Sequence, residues 1–427
     1  MKKNICVIGL GYIGLPTSAV FAKAGYNVVG VDVNPLAVEM INDGKIHIEE
    51  VGLGEVVEEV VREGKLKASL QPEHADVYII AVPTPHNEDH TANLNHVVEA
   101  TKAILPFLLK GNLVIVESTI PPRTIDDVVA PILQENGWNV GEEIYLAHCP
   151  ERVLPGRILI ELVENTRIVG GINQESTEKA VEIYRSFVKG EILETTALTA
   201  EMSKLMENTF RDVNIALANE LVKISENLGV NALDVINLAN YHPRVNLHFP
   251  GPGVGGHCLA VDPYFIIEKA PEQSVLISEA RRINNSMPHF VVEQLQKIAP
   301  NKNAKIAVLG ITYKGNIDDV RESPAMTIID LLKLQGYEVA VHDPHVKQEQ
   351  VIFTLHSFEK AIENAECTLI LTDHREFSKL NEDCILKYMK NPVVFDTRNC
   401  TNIKDEKIAY YNFNNLHLLQ VLEMVQV

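Results

Sequence analysis

The sequence has no basic run, no Cys-x-x-Cys pair, and no apolar stretch approaching the roughly 18 residues that a membrane-spanning helix needs. Each absence removes a class of function. With 38 Lys+Arg against 57 Asp+Glu the formal net charge is −19, which disfavours binding to nucleic acid or to an anionic membrane surface. An anionic small ligand would have to be held by a few local arginines, lysines and helix N-termini. The six cysteines, Cys6, Cys149, Cys258, Cys367, Cys384 and Cys400, are scattered. That argues against zinc and against a disulfide framework, and fits a reducing cytoplasm. Met1-Lys2-Lys3 runs straight into an apolar strand pattern, without the h-region and cleavage site of a signal peptide, so a soluble protein is expected. At 427 residues, with 46% hydrophobic residues, the chain should hold two or three domains with ordinary cores.

What is present begins with a short β-type run, Asn4–Ile8, that ends at Gly9-Leu10-Gly11-Tyr12-Ile13-Gly14. A helical pattern follows to about Ala24, and a second strand, Tyr26–Asp32, ends in an acid. G-x-G-x-x-G is weak by itself. Placed after a strand, opening a helix and followed about 20 residues later by an aspartate, it meets the full dinucleotide-binding pattern. Gly9 makes the turn, Gly11 lets a pyrophosphate reach the backbone, and Gly14 allows close packing of helix on strand, with Tyr12 and Ile13 in the same turn. Asp32 should accept from the adenosine ribose hydroxyls. A 2′-phosphate would meet that carboxylate with no arginine to offset it, so NAD is expected over NADP.

Strands and helices continue to alternate. Asp76–Val82 ends in Pro83-Thr84-Pro85, and Leu113–Val116 ends in Glu117-Ser118-Thr119. Ligands sit at the carboxyl ends of strands in a doubly wound sheet, which places Thr84 and Thr119 near the cofactor, although either serves equally as a helix N-cap. Glu143–Ala147 leads into His148-Cys149-Pro150-Glu151-Arg152-Val153-Leu154-Pro155-Gly156, so Glu151 and Arg152 lie at the same edge or form a solvated surface pair.

From about Thr199 one long helix is expected. Leu205, Met206, Val213, Leu217 and Leu221 mark its core stripe, and Lys204, Asn208 and Arg211 form a polar patch on the other face. That patch is either solvated or, since it offers donors and an amide without opposite charges, a seat for an anionic or carbonyl ligand. Helical patterns persist to about Ile267 and again from Gln273 to Ala299, interrupted by Pro250-Gly251-Pro252-Gly253-Val254-Gly255-Gly256-His257-Cys258-Leu259-Ala260-Val261-Asp262. Glycine and proline exclude regular structure there, so the Cys258 thiol is presented from a loop, and a following helical turn would return Asp262 towards the sulfur. The alternative is a buried free cysteine in a glycine-rich connection.

The last segment repeats the opening plan. Ala304–Gly310 echoes the first strand, and Gly336-Tyr337-Glu338-Val339-Ala340-Val341-His342-Asp343 matches Gly25–Asp32. Cys367–Thr372 and Val393–Thr397 parallel later strands. The first loop, Gly310-Ile311-Thr312-Tyr313-Lys314-Gly315, lacks the dinucleotide pattern, so a different ligand is expected; Lys314 and Arg321 would suit phosphate, or else belong to a plain surface loop. Ser323-Pro324 reads as an N-cap with proline at N1. The fold class is therefore α/β, with two Rossmann-like doubly wound domains, 1–198 and 301–427, joined by a helical middle domain, 199–300, with a long central helix.

A thiol between two nucleotide-type domains suggests covalent catalysis. Addition to an aldehyde gives a thiohemiacetal, which can pass hydride to NAD and leave a thioester for water. Lys204 and Asn208 are placed to hold the oxyanion, and Glu151 to act as base towards water. Gly9–Gly14, Asp32, Glu117-Ser118-Thr119, Pro150-Glu151, Glu201–Asn208, Gly251–Asp262 and Tyr313-Lys314 through Pro324 together resemble the UDP-glucose/UDP-N-acetylmannosamine dehydrogenase family over nearly the whole chain. Cys149–Gly156, Asn208–Asn214 and His242-Pro243-Arg244-Val245-Asn246 resemble its UDP-N-acetyl-D-mannosamine 6-dehydrogenase branch. The resemblance implies oxidation of the sugar C6 alcohol to a carboxylate with two NAD, and UDP held by the C-terminal domain. It implies Cys258 as nucleophile and Lys204 as the proton-handling lysine, with Asn208, Asp262 and Thr119 beside them. Arg152, Val153, Arg211, His242, Arg244, Gly255, Tyr313, Lys314 and Arg398 match substrate positions, and Arg321 one that reaches towards the cofactor. Arg244 is expected from a neighbouring subunit, making a homodimer. Pro155 stands where UDP-glucose enzymes have a second glutamate. Competing expectations are UDP-N-acetylglucosamine or UDP-glucose as substrate, or a non-catalytic nucleotide-sugar-binding protein.

Overall fold

The computed structural model describes residues 3–419 and divides the chain into two compact units, with the boundary between Glu207 and Asn208. The first holds an eight-stranded sheet: β1 (Asn4–Ile8), β2 (Asn27–Val31), β3 (Leu66–Ser69), β4 (Val77–Ile80), β5 (Leu113–Val116), β6 (Tyr145–His148), β7 (Arg167–Gly171) and β8 (Ile192–Thr196), in the order β3-β2-β1-β4-β5-β6-β7-β8. All neighbours are parallel except β6 and β7. Alternation along the strands feeds two cores. Ile5, Val7, Val77, Ile79, Leu113 and Ile115 pack on one face, and Cys6, Ile8, Tyr78, Ile80, Val114 and Val116 on the other. This double burial is why the central strands read as unbroken apolar runs. Strand order reverses between β1 and β4, which opens a crevice at their carboxyl ends.

The second unit carries β9 (Lys305–Leu309), β10 (Glu338–His342), β11 (Cys367–Ile370), β12 (Val393–Asp396) and β13 (Ala409–Asn412), all parallel, in the order β10-β9-β11-β12-β13. Its switch point lies between β9 and β11. The repeat extends to hydrogen bonds. Leu10 N–H donates to Asp32 Oδ2 at 2.9 Å, and Ile311 N–H donates to Asp343 Oδ2 at 2.8 Å.

The long helix spans Ala197–Leu228, and its faces depart in part from the expected ones: Val213 and Leu221 are half-buried and Arg211 is exposed, but other positions are exchanged. Leu205 is buried, yet Met206, Phe210, Leu217 and Ile224 are exposed while Glu201, Asn208, Asp212 and Asn219 are buried. The inward polar groups are satisfied by partners far along the chain, which outweighs hydropathy. The expected helical run before the cysteine loop is also shorter, comprising Ala232–Asn240 alone; Pro243, Pro250 and Pro252 prevent its continuation. Helices resume at Asp262–Lys269 and Val275–Ile298. Among the described residues no helix is long and apolar enough to cross a membrane.

Candidate active site

In the first unit, the loop after β1 forms a cradle. A Cβ on Gly14 would lie 1.8 Å from the Gly9 carbonyl oxygen, and one on Gly9 (φ +94°) 2.6 Å from that of Ala81, whereas one on Gly11 would meet nothing within 4 Å. Helix Gly14–Lys23 therefore sits tight on the sheet with open space above Gly11. Its N-cap, Ile13, makes no side-chain capping bond, so the first-turn amides suit a phosphate. Asp32 Oδ1 accepts from Asn34 N–H at 2.9 Å, fixing the carboxylate at the end of β2. Beyond β4, Thr84 Oγ1 is buried without a hydrogen-bond partner. These features fit a dinucleotide. Thr119 lies half-buried after β5, where Ser118 Oγ donates to Val82 O at 2.6 Å.

Glu151 and Arg152 are not a solvated pair. Glu151 Oε2 pairs with buried Arg167 at 3.0 Å and its Oε1 accepts from Arg152 N–H at 2.7 Å. The Arg152 guanidinium pairs instead with Glu207 at 2.5 Å and donates to Thr166 O at 2.9 Å. Val153 packs against Val20, Ile158 and Leu162. Behind Arg167 stands Glu117, 3.6 Å away, which accepts from Tyr184 Oη at 2.6 Å and Thr17 Oγ1 at 3.2 Å. Burial pushes Glu117 up to about 7 against the pull of Arg167. Burial also raises the Cys149 thiol to about 12 and lowers His148 to about 3, which makes both inert in the manner of core groups.

In the second unit, Cys258 is half-buried. Its carbonyl accepts from Val261 N–H at 3.0 Å and Asp262 N–H at 2.8 Å, so the chain turns at once into helix Asp262–Lys269, as the spacing predicts. Buried Asp262 Oδ2 accepts from Asn208 Nδ2 at 2.5 Å, and Asn208 Oδ1 accepts from Arg211. The glycine loop lies directly on the second nucleotide-type loop. A Cβ on Gly255 would lie 2.3 Å from Glu322 O, one on Gly256 2.7 Å from the Tyr313 ring, and one on Gly251 2.6 Å from Arg398 Nη1. Gly256 N–H donates to Arg321 O at 3.2 Å, and the Arg321 guanidinium pairs with Asp319 at 2.6 Å. Cys258, Asn208, Arg211, Gly255, Asp262, Tyr313, Arg321 and Arg398 thus form one neighbourhood, with Lys314 exposed on the Tyr313 loop. His242 and Arg244 are exposed in the turn after Ala232–Asn240. Ser323 is the N-cap of Pro324–Leu334, as expected.

Sequence reasoning missed what holds this loop. Asn219 Oδ1 accepts from Gly251 N–H at 2.9 Å, and Asn219 Nδ2 donates to Asn284 Oδ1 at 2.8 Å. Asn284 donates to Asp212 Oδ1 at 2.8 Å, and Asp212 pairs with Arg281 at 2.7 Å. Arg281 reaches Leu259 O at 3.5 Å. Both ends of the cysteine loop are therefore tied to one buried network on two helices, and burial raises Asp212 against the pull of Arg281. The spacing of Arg281 and Asn284 on their helix was the available signal.

Descriptions of the UDP-glucose/GDP-mannose dehydrogenase family match three segments: its NAD binding domain over residues 3–188, its central domain over 198–286 and its UDP binding domain over 307–403. The chain is 48% identical over 406 residues to a UDP-N-acetyl-D-mannosamine dehydrogenase of Methanocaldococcus jannaschii, covering 94% of this chain and 93% of that one. It is 45% identical to an NDP-N-acetyl-D-galactosaminuronic acid dehydrogenase of Ralstonia solanacearum, covering 94% and 97%. The solved structure of the UDP-N-acetyl-mannosamine dehydrogenase Cap5O from S. aureus superposes with a TM-score of 0.90 at 54% identity, covering 97% of this chain and 100% of that one.

Proposed function

This chain belongs to the UDP-glucose/GDP-mannose dehydrogenase family, and from that premise we propose that it oxidises the C6 alcohol of UDP-N-acetyl-D-mannosamine to the uronate, with Cys258 as nucleophile. It is an NAD-dependent UDP-sugar dehydrogenase. The observation that carries the finer reading is the Cys258 loop, backed by the Asn208–Asp262 pair and seated on the loop of the UDP-type domain. The names of the Methanocaldococcus and S. aureus relatives support the sugar.

NAD, when bound, supplies the hydride acceptor. Loss of the hydroxyl proton and a hydride from C6 gives the aldehyde. The Cys258 thiolate then adds to the carbonyl carbon, forming the C–S bond and placing an electron pair on oxygen. Loss of a second hydride from that carbon leaves the thioester; water adds, the C–S bond breaks, and thiolate and carboxylate remain. Lys204, one helical turn before Asn208, handles the hydroxyl proton. One Asn208 N–H is directed at Asp262, and the other serves the oxyanion. Glu151, whose carboxylate is held by Arg167 and the Arg152 amide, is the base in this reading for the attack of water. Tyr313, Lys314, Gly255 and Arg398 serve the UDP-sugar, joined by Arg152, Val153, Arg211 and His242, with Arg321 towards the cofactor. The exposed stripe of Met206, Phe210, Leu217 and Ile224 supports a homodimer, to which Arg244 contributes across the interface.

The Ralstonia relative favours a second reading, oxidation of an N-acetylgalactosamine sugar. Turnover of UDP-N-acetylmannosamine, UDP-N-acetylgalactosamine, UDP-N-acetylglucosamine and UDP-glucose in parallel decides between them. We expect kcat/KM for the first to exceed the others by roughly tenfold or more. A higher value for any other sugar would replace the substrate while leaving the chemistry.

A further inference from the structure

His374 follows β11 at the switch point of the second sheet and is 1% exposed, but it belongs to no hydrophobic contact set alone: both ring nitrogens are engaged by the loop that follows β9. Nδ1 lies 2.9 Å from Asn316 N. A backbone amide only donates, so Nδ1 accepts and the ring carries its proton on Nε2. Nε2–H is shared by Asp343 Oδ2 at 3.1 Å and Thr312 Oγ1 at 3.2 Å. Thr312 Oγ1 spends its own hydrogen on Lys314 O at 2.8 Å. The Asp343 carboxylate also accepts from Ile311 N–H at 2.8 Å.

The neighbours of His374 grip the same loop. Thr372 Oγ1 donates to Thr312 O at 2.8 Å, and Arg375 N–H to Asn316 Oδ1 at 3.0 Å. A Cβ on Gly315 would lie 2.3 Å from Asp373 O, and Asn316 holds a left-handed φ of +63°. Residues 311, 312 and 316 are thus pinned, while Tyr313 and Lys314 project between the pins. The corresponding loop after β1 has the carboxylate anchor, Asp32, but its shape comes from glycines. Here Gly310 and Gly315 are joined in that task by a side chain.

We infer that His374 is a positioning residue for UDP, holding the Thr312–Asn316 loop in the shape that presents Tyr313 and Lys314. This rests on the reading that the same loop holds the UDP. A preformed loop spares the ligand the cost of ordering it, so the loss on removing His374 should appear in nucleotide affinity.

The test is the Kd of UDP, with the Kd of NAD as control, on the full chain and on Lys314→Ala, His374→Phe, His374→Asn and His374→Gln. Phe keeps the ring without either nitrogen; Asn restores an acceptor near the Nδ1 position, and Gln a donor near Nε2. We expect His374→Phe to weaken UDP about tenfold with NAD affinity within about twofold, and His374→Asn to recover part of the loss. UDP affinity unchanged in His374→Phe while Lys314→Ala weakens it would overturn the inference, as would equal losses of UDP and NAD, which indicate general loosening. No effect of Lys314→Ala would instead overturn the placement of UDP at this loop.

Discussion

Glu201 faces inward from the long helix and accepts from Arg123 N–H at 2.6 Å and Ile125 N–H at 2.9 Å, shaping the turn that follows Thr119. Burial pushes its pKa up to about 7, with the two amides working against that rise and Asp126 and Asp127 adding to it. The folded value lies above the unfolded one, near 4.3, so the folded state holds the extra proton between them. The stabilisation is fully present below about pH 4 and is lost as pH rises through about 7, amounting to about 4 kcal/mol across the window. Glu201→Gln should therefore remove much of the stability decline between pH 5 and 8 in urea unfolding; equal slopes in the two proteins would contradict the assignment. No local pattern announces such a residue, because its partners are 76 and 78 positions away. Gly9 and Gly14 were legible for the opposite reason: a turn without room for a Cβ has one residue solution, and it is written within one short motif.

Elements followed the same division. Central strands such as Leu113–Val116 declared themselves as short apolar runs, being buried on both faces. Leu66–Ser69, Arg167–Gly171, Ile192–Thr196 and Ala409–Asn412 did not, since three are edge strands with polar residues. The fourth ends in Gly170 and Gly171, where a Cβ would lie 2.2 Å from Thr196 O and 2.4 Å from Thr177 N. The long helix was legible as a helix and misread at Met206, Asn208 and Leu217, because period alone does not say which stripe faces inward when polar groups have buried partners. Its network with Val275–Ile298 offers a measurable consequence. Arg281→Met leaves the Asp212 carboxylate buried without its cation, and should lower unfolding free energy by about 3–5 kcal/mol. Arg281→Met with Asp212→Asn should recover part of that loss. A cost below about 1 kcal/mol for the single variant would show that the pair does not hold the helices together.

At the scale of the whole molecule, two Rossmann-like sheets repeat one plan, down to the aspartate that receives an amide from the loop after the first strand, yet serve different nucleotides. Exposed Arg244 and the apolar stripe on the long helix make the proposed homodimer testable by mixing. Arg244→Ala and Cys258→Ser are each expected to be inactive; subunit exchange between them should restore about a quarter of wild-type activity, since half the dimers are hybrid and each has one complete site. A mixture no more active than its parts would place Arg244 outside the partner's site. The central claim, that Cys258 carries the sugar through a thioester, is tested most directly by counting NADH formed per UDP-N-acetylmannosamine consumed. The wild type should give two, and Cys258→Ser no more than one, because without the thiol the aldehyde has no covalent route to the acid. Two NADH per sugar from Cys258→Ser would contradict the account.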